Sequence, residues 1–88
     1  MTRIIDGRGT GKTSELMSLA KDNNATFVCS NPYAMKYKAD KYGVKGISFI
    51  SYDEFSTVLN NKEKYVIDEL ENFMKAVFGS NFIGYTIS

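Results

Sequence analysis

Residues 6–13 read Asp6-Gly7-Arg8-Gly9-Thr10-Gly11-Lys12-Thr13. Closely spaced glycines followed by a lysine and a hydroxyl suit one chemistry, the holding of a polyphosphate. Glycine adopts positive φ at no steric cost and lets the backbone come close to phosphate oxygens. Successive N–H groups in such a turn form an anion-binding nest, and a helix starting near Lys12 adds the positive end of its dipole. Lys12 then reaches the β- and γ-phosphates, and the Thr13 hydroxyl ligates Mg²⁺. The expected nucleotide contacts come from Gly7, Arg8, Gly9, Thr10, Gly11, Lys12, Thr13 and Ser14. Asp6 stands where the eight-residue pattern has its first glycine, and an acid beside a polyphosphate lowers the expected affinity. The plainer alternative is a glycine-rich strand-to-helix turn with no ligand.

A second group with chemical potential is Tyr65-Val66-Ile67-Asp68-Glu69, an apolar run that ends in two adjacent carboxylates. Acids at the end of a strand are suited to metal and water chemistry. They equally serve as helix-start residues, Asp68 as a cap and Glu69 as a favourable charge on the helix dipole.

The elements that must position these groups alternate along the chain. Thr2–Asp6 predicts a short strand rich in β-branched residues. Lys12–Asp22 predicts a helix with Leu16, Leu19 and Ala20 on one face, and Met17 is a further core candidate. Thr26–Cys29 predicts a second strand. Asn31 as N-cap, Pro32 at the first helical position and Gly43 as stop predict a helix to about Tyr42. Gly46–Ile50 predicts a third strand, and Ser51 with Glu54 forms a capping box for a helix ending near Leu59. Lys64–Asp68 predicts a fourth strand, Glu69–Phe78 a helix closed by Gly79, and Phe82–Ile87 a fifth strand. Such alternation predicts an α/β fold in a single domain over 1–88, a small parallel sheet of about five strands with helices on both faces. Ligands of such sheets bind at the carboxyl ends of the strands, where both chemical groups fall.

Composition narrows the chemistry. The chain has 88 residues, a net charge of +1, one cysteine and no histidine. Zinc sites and histidine-based nucleophile mechanisms lack their ligands or base. Cys29 alone cannot form an internal disulfide, which suits a reducing cytoplasm. No apolar run approaches the roughly 20 residues of a membrane span.

At residues 6–13 and 65–69 the chain resembles the P-loop NTPases, in the branch with a catalytic glutamate after the Walker B aspartate. The Gly-Arg-Gly-Thr-Gly-Lys-Thr loop looks most like those of phage large-terminase packaging ATPases, which carry an arginine at the place of Arg8. The resemblance implies Mg²⁺ and ATP as cofactors. It implies that Asp68 holds Mg²⁺ through water together with Thr13, that Glu69 polarises the attacking water, and that Lys12 and Arg8 assist catalysis, Arg8 as an arginine finger in cis. It also implies a P-loop-like strand order, with Phe82–Ile87 between the loop strand and the Walker B strand, and Thr86 or Ser88 as a γ-phosphate sensor. Gly11–Ala20 is similar to the same stretch of thymidine kinases, but their zinc cysteines and substrate lasso have no counterpart here. The sequence ends at the expected sensor, so the resemblance is to a minimal, shortened form. A phage origin and a host-cytoplasmic location are what the terminase-like loop implies.

Two surfaces stand apart from these motifs. Tyr33, Lys36, Tyr37, Lys38, Lys41, Tyr42 and Lys45 form a basic, tyrosine-rich segment. It suits contact with single-stranded nucleic acid by stacking and charge. The more ordinary reading is a solvated helix whose tyrosines pack on the sheet. Phe73, Met74, Val77 and Phe78 form an apolar cluster, partly core and partly available to a partner, either a second copy of the chain or a larger protein. The expectation is therefore a Mg-ATP-binding protein with weak or partner-dependent ATPase activity, converting ATP to ADP. The alternative is a non-catalytic nucleotide-binding regulator or decoy that docks on a larger ATPase or host protein.

Overall fold

A computed structural model describes residues 11–58, 63–84 and 86. The elements run α1 (Lys12–Asp22), β1 (Thr26–Cys29), α2 (Pro32–Tyr42), β2 (Phe49–Ser51), α3 (Tyr52–Thr57), β3 (Tyr65–Ile67) and α4 (Leu70–Phe78). The three strands form one parallel sheet in the order β2-β1-β3. Phe27 sits opposite Phe49 on one side and Val66 on the other.

Strand β1 is the centre of the molecule because its residues are apolar on both faces, as parallel sheets require. Phe27 and Cys29 face α1 and α2, where Met17, Ala20, Ala25, Met35 and Ala39 complete one buried cluster. Val28 faces α3 and α4, where Tyr52 and Phe55 are buried and Phe73 packs against them. Helices thus cover both faces.

Local signals account for most of the boundaries. The Asn31 side chain accepts a 3.1 Å hydrogen bond from the Ala34 N–H, Pro32 opens α2, and Gly43 closes it at φ 72°. Ser51 accepts from the Glu54 N–H at 3.2 Å to start α3. On α1, Met17 and Ala20 are fully buried, while Leu16 and Leu19 are half-buried.

Other expectations need correction. The strand expected over Gly46–Ile50 begins only at Phe49, because Gly46 turns at φ 85° and the ladder starts where Phe49 meets Phe27. The helix expected to reach about Leu59 ends at Thr57. The helix expected from Glu69 starts at Leu70, because Glu69 is left-handed. Phe82–Ile87 forms no strand over its described residues. A backbone bond from the Phe82 N–H to Gly79 and a ring contact with Phe78 hold Phe82 beside the end of α4 instead. The described strands number three rather than five, and the expected strand Thr2–Asp6 lies outside the described residues. The tyrosines of α2 do not pack on the sheet: Met35 and Ala39 form its buried face, and Tyr33, Tyr37 and Tyr42 point away from it. None of α4 is fully buried; Phe73 and Met74 are half-buried, and Val77 and Phe78 are exposed. Among the described residues, no helix is long and apolar enough to cross a membrane.

Candidate functional site

The carboxyl ends of the three strands converge on Asp68. Its N–H donates to the Val28 carbonyl at 2.9 Å, which extends the β3 pairing by one residue and sets the side chain beside the end of β1. The carboxylate is half-buried, and its pKa is raised above 3.8 by burial and then by the neighbouring charge of Glu69. The positive charges of Lys38 and Lys12 pull the other way. Neither lysine makes a direct ion pair with Asp68, and among the described residues nothing donates a hydrogen bond to its carboxylate. A half-buried acid without a partner costs stability, and such groups concentrate at functional sites.

Lys12 arrives there because of how α1 is joined to the sheet. Residues 23–25 reverse the chain between α1 and β1, so the start of the helix lies at the carboxyl end of the strand. Gly11 is the N-cap at φ 113°, a conformation that favours glycine, and no side chain caps the helix. The first backbone bond runs from the Glu15 N–H to the Gly11 carbonyl at 2.9 Å. The N–H groups of Lys12, Thr13 and Ser14 therefore have no partner among the described residues. The two hydroxyls differ. Ser14 donates to the Gly11 carbonyl at 3.1 Å and is tied to its own helix, while the Thr13 hydroxyl makes no hydrogen bond among the described residues.

Glu69 follows Asp68 in the left-handed region at φ 57°, ψ 69°. Asn24 is also left-handed, at φ 53°, but asparagine tolerates this in a turn. A glutamate does not, and the conformation costs about 1–2 kcal/mol. The Tyr52 hydroxyl offsets part of that cost. It donates to the Asp68 carbonyl at 2.6 Å, with the Glu69 carbonyl 3.4 Å away, and a bond of this kind contributes about 1 kcal/mol. Burial, then the charge of Asp68, pushes the Tyr52 phenol up to about 12, so it stays a donor at neutral pH. Burial likewise pushes the Cys29 thiol up to about 11, which makes it an unreactive core group.

No family model, curated protein or solved structure matches the chain.

The structure thus brings Lys12, Asp68 and Glu69 to one end of the sheet, with Thr13 one residue from Lys12. Gly7, Arg8, Gly9 and Thr10 lie outside the described residues. Thr86, the expected sensor, is exposed and not in a strand. Tyr52 and Lys38 are site residues that sequence reasoning missed. Tyr52 reads there as an ordinary first residue of a helix, and Lys38 as one of several lysines on α2. Among the described residues no three acids, cysteines or histidines cluster tightly enough to cage a metal. Magnesium does not need such a cage, since one or two carboxylates with phosphate oxygens and waters suffice. The Asp68 carboxylate and the Thr13 hydroxyl, without a hydrogen-bond partner among the described residues, fit that mode.

Proposed function

We propose that the chain binds Mg-ATP at the carboxyl end of its sheet, as a P-loop-type nucleotide-binding domain. The observation that carries this reading is that Lys12, at an uncapped helix start, and the half-buried carboxylate of Asp68 share the carboxyl end of the sheet, where the lysine charge acts on the acid. The N–H groups of Lys12, Thr13 and Ser14, without a partner among the described residues, suit phosphate oxygens, and Lys12 supplies the compensating charge. Asp68 and Thr13 would hold Mg²⁺, which neutralises phosphate charge. Glu69 would orient a water for attack on the γ-phosphorus, forming one P–O bond as the bond to ADP breaks. The finer architecture belongs to the same proposal. The outer edge of β3 has no partner among the described strands, which would accommodate the further strands of a P-loop-like sheet.

A second reading, a nucleotide-binding regulator with little turnover, is favoured by α4. This helix follows Glu69 directly and leaves Leu70, Val77 and Phe78 exposed, a face open to a larger protein.

Thermal melts with and without Mg-ATP test the binding. At about one hundred times Kd the ligand adds about 2.7 kcal/mol, a rise of roughly 10–20 °C in a domain of this size. Lys12→Ala should lose most of the rise, and equal rises in both proteins would remove the assignment. Steady-state hydrolysis then separates the two readings. Glu69→Gln should bind ATP and lose turnover if the chain is an ATPase, whereas negligible turnover in both proteins supports the regulator.

A further inference from the structure

Helix α2 presents two parallel ridges to solvent. One is Tyr33-Tyr37-Lys41 and the other Ala34-Lys38-Tyr42, each with the four-residue spacing that aligns side chains along a helix. Between them lies an open groove of about 550 Å³, lined by these six residues. Ala34 is the small residue that leaves room beside Tyr33 and Tyr37. Tyr33 is 88% exposed, Tyr37 61% and Tyr42 51%. None supports the core, which α2 reaches through Met35 and Ala39. The Lys41 ammonium lies 5.0 Å from the centre of the Tyr37 ring. Lys36, Lys38, Lys41 and Lys45 make no ion pair among the described residues, and Asp40 is the one acid on the helix.

We propose that this face of α2 binds single-stranded nucleic acid, with bases stacked on Tyr33 and Tyr37 and phosphates held by Lys38 and Lys41. Two alternatives fit the face less well. Protein interfaces favour tyrosine but are depleted in lysine, and here lysines line the groove itself. A duplex offers phosphates but hides the faces of its bases, so the open rings would be left without a partner. A single strand supplies both, with a negative backbone and accessible base faces. Tyr33 and Tyr37 share one face and lie about 6 Å apart along the helix axis, the span of about two stacked nucleotides. The surface shares Lys38 with the site at Asp68, but the stacking on Tyr33 and Tyr37 does not rest on the Mg-ATP reading.

The test is fluorescence anisotropy of a labelled oligothymidylate, with EDTA and no nucleotide present, so that failure of the Mg-ATP reading does not affect it. The chain has no tryptophan, so quenching of tyrosine emission reports stacking directly. Binding is expected with Kd near 10⁻⁴ M, weakening several-fold between about 50 and about 200 mM salt, as about two phosphate contacts imply. The double variant Tyr33→Ala, Tyr37→Ala should weaken binding about tenfold or more. The variant Tyr33→Phe, Tyr37→Phe keeps the rings and should bind as the wild type does. These side chains are exposed, so the far-ultraviolet circular dichroism of all three proteins should coincide. The proposal is overturned if the alanine variant binds like wild type. It is also overturned if duplex DNA or heparin competes as well as the single strand, since charge alone would then explain binding. Sedimentation showing self-association that the alanine variant abolishes, with no oligonucleotide bound, would make the face a dimer contact instead.

Discussion

Phe27 and Val28 are neighbours in β1, yet they enter different surroundings. Phe27 lies among Met17, Ala20, Ala25, Cys29, Met35 and Ala39, and both helices of that face contribute fully buried or nearly buried residues. Val28 meets Tyr52 and Phe55, and beyond them a helix, α4, that buries no residue completely. That side is joined largely by rings. Phe73 contacts Tyr52 at 5.4 Å and Phe55 at 6.1 Å between ring centres, and Phe55 contacts Tyr65 at 4.7 Å. The candidate site straddles the difference. Lys12 and Lys38 stand on the tightly packed face, Glu69 opens the loosely packed helix, and Asp68 lies between them. Under the proposed function, phosphates would rest on the firm side and the water-orienting acid would sit on the looser one.

If this contrast is real, equivalent truncations on the two faces should differ in cost. Phe27→Ala should lose about 3–5 kcal/mol, a large part of the roughly 4–13 kcal/mol available to a domain of this length, and urea titration should find the variant largely unfolded at 37 °C. Phe73→Ala removes a half-buried ring and should cost only about 1–2 kcal/mol, while hydrogen exchange in α4 accelerates and exchange in α1 does not. Equal losses at the two positions would abolish the distinction.

Tyr52→Phe keeps the ring and deletes the hydroxyl that bonds to the Asp68 carbonyl. A loss of about 1 kcal/mol is expected, together with faster exchange of the amides around Glu69. An unchanged melting temperature and exchange pattern would mean that the left-handed turn is held by other contacts.

The smallest effect concerns Asp68 and depends on pH. Its folded-state pKa is raised by burial and by Glu69. The protonated acid therefore favours the fold below the ordinary value of 3.8, and that support is lost as pH rises through the folded-state value. At neutral pH Asp68→Asn should melt higher than wild type, and the difference should vanish below about pH 3.8. An asparagine variant less stable at pH 7 would show that the carboxylate is structural, and would weaken its assignment as a magnesium ligand.

Several features of the molecule were legible in the chain because they depend on neighbouring residues alone. Asn31, Pro32 and Gly43 define α2 by satisfying backbone groups within one turn at each end. Thr26–Cys29 reads as a strand because a run apolar on both faces has few other uses, and the glycine-lysine start of α1 is visible in the residue types themselves. Which face of α2 is buried was not legible, since methionine and alanine compete with tyrosine for the core, and only the space above Phe27 decides. Nor could the chain alone reveal that Glu69 would be left-handed, because local preference disfavours it. The packing of α4 against Phe55, and the hydroxyl of Tyr52 sixteen residues upstream of Asp68, supply the energy that overrides that preference. The two acids were readable as neighbours from their place at the end of an apolar run. That the first is a half-buried carboxylate with no hydrogen-bond donor among the described residues, facing Lys12 and Lys38, follows only from the sheet order, which brings β3 beside β1 and sets charges far apart in sequence within reach of one another.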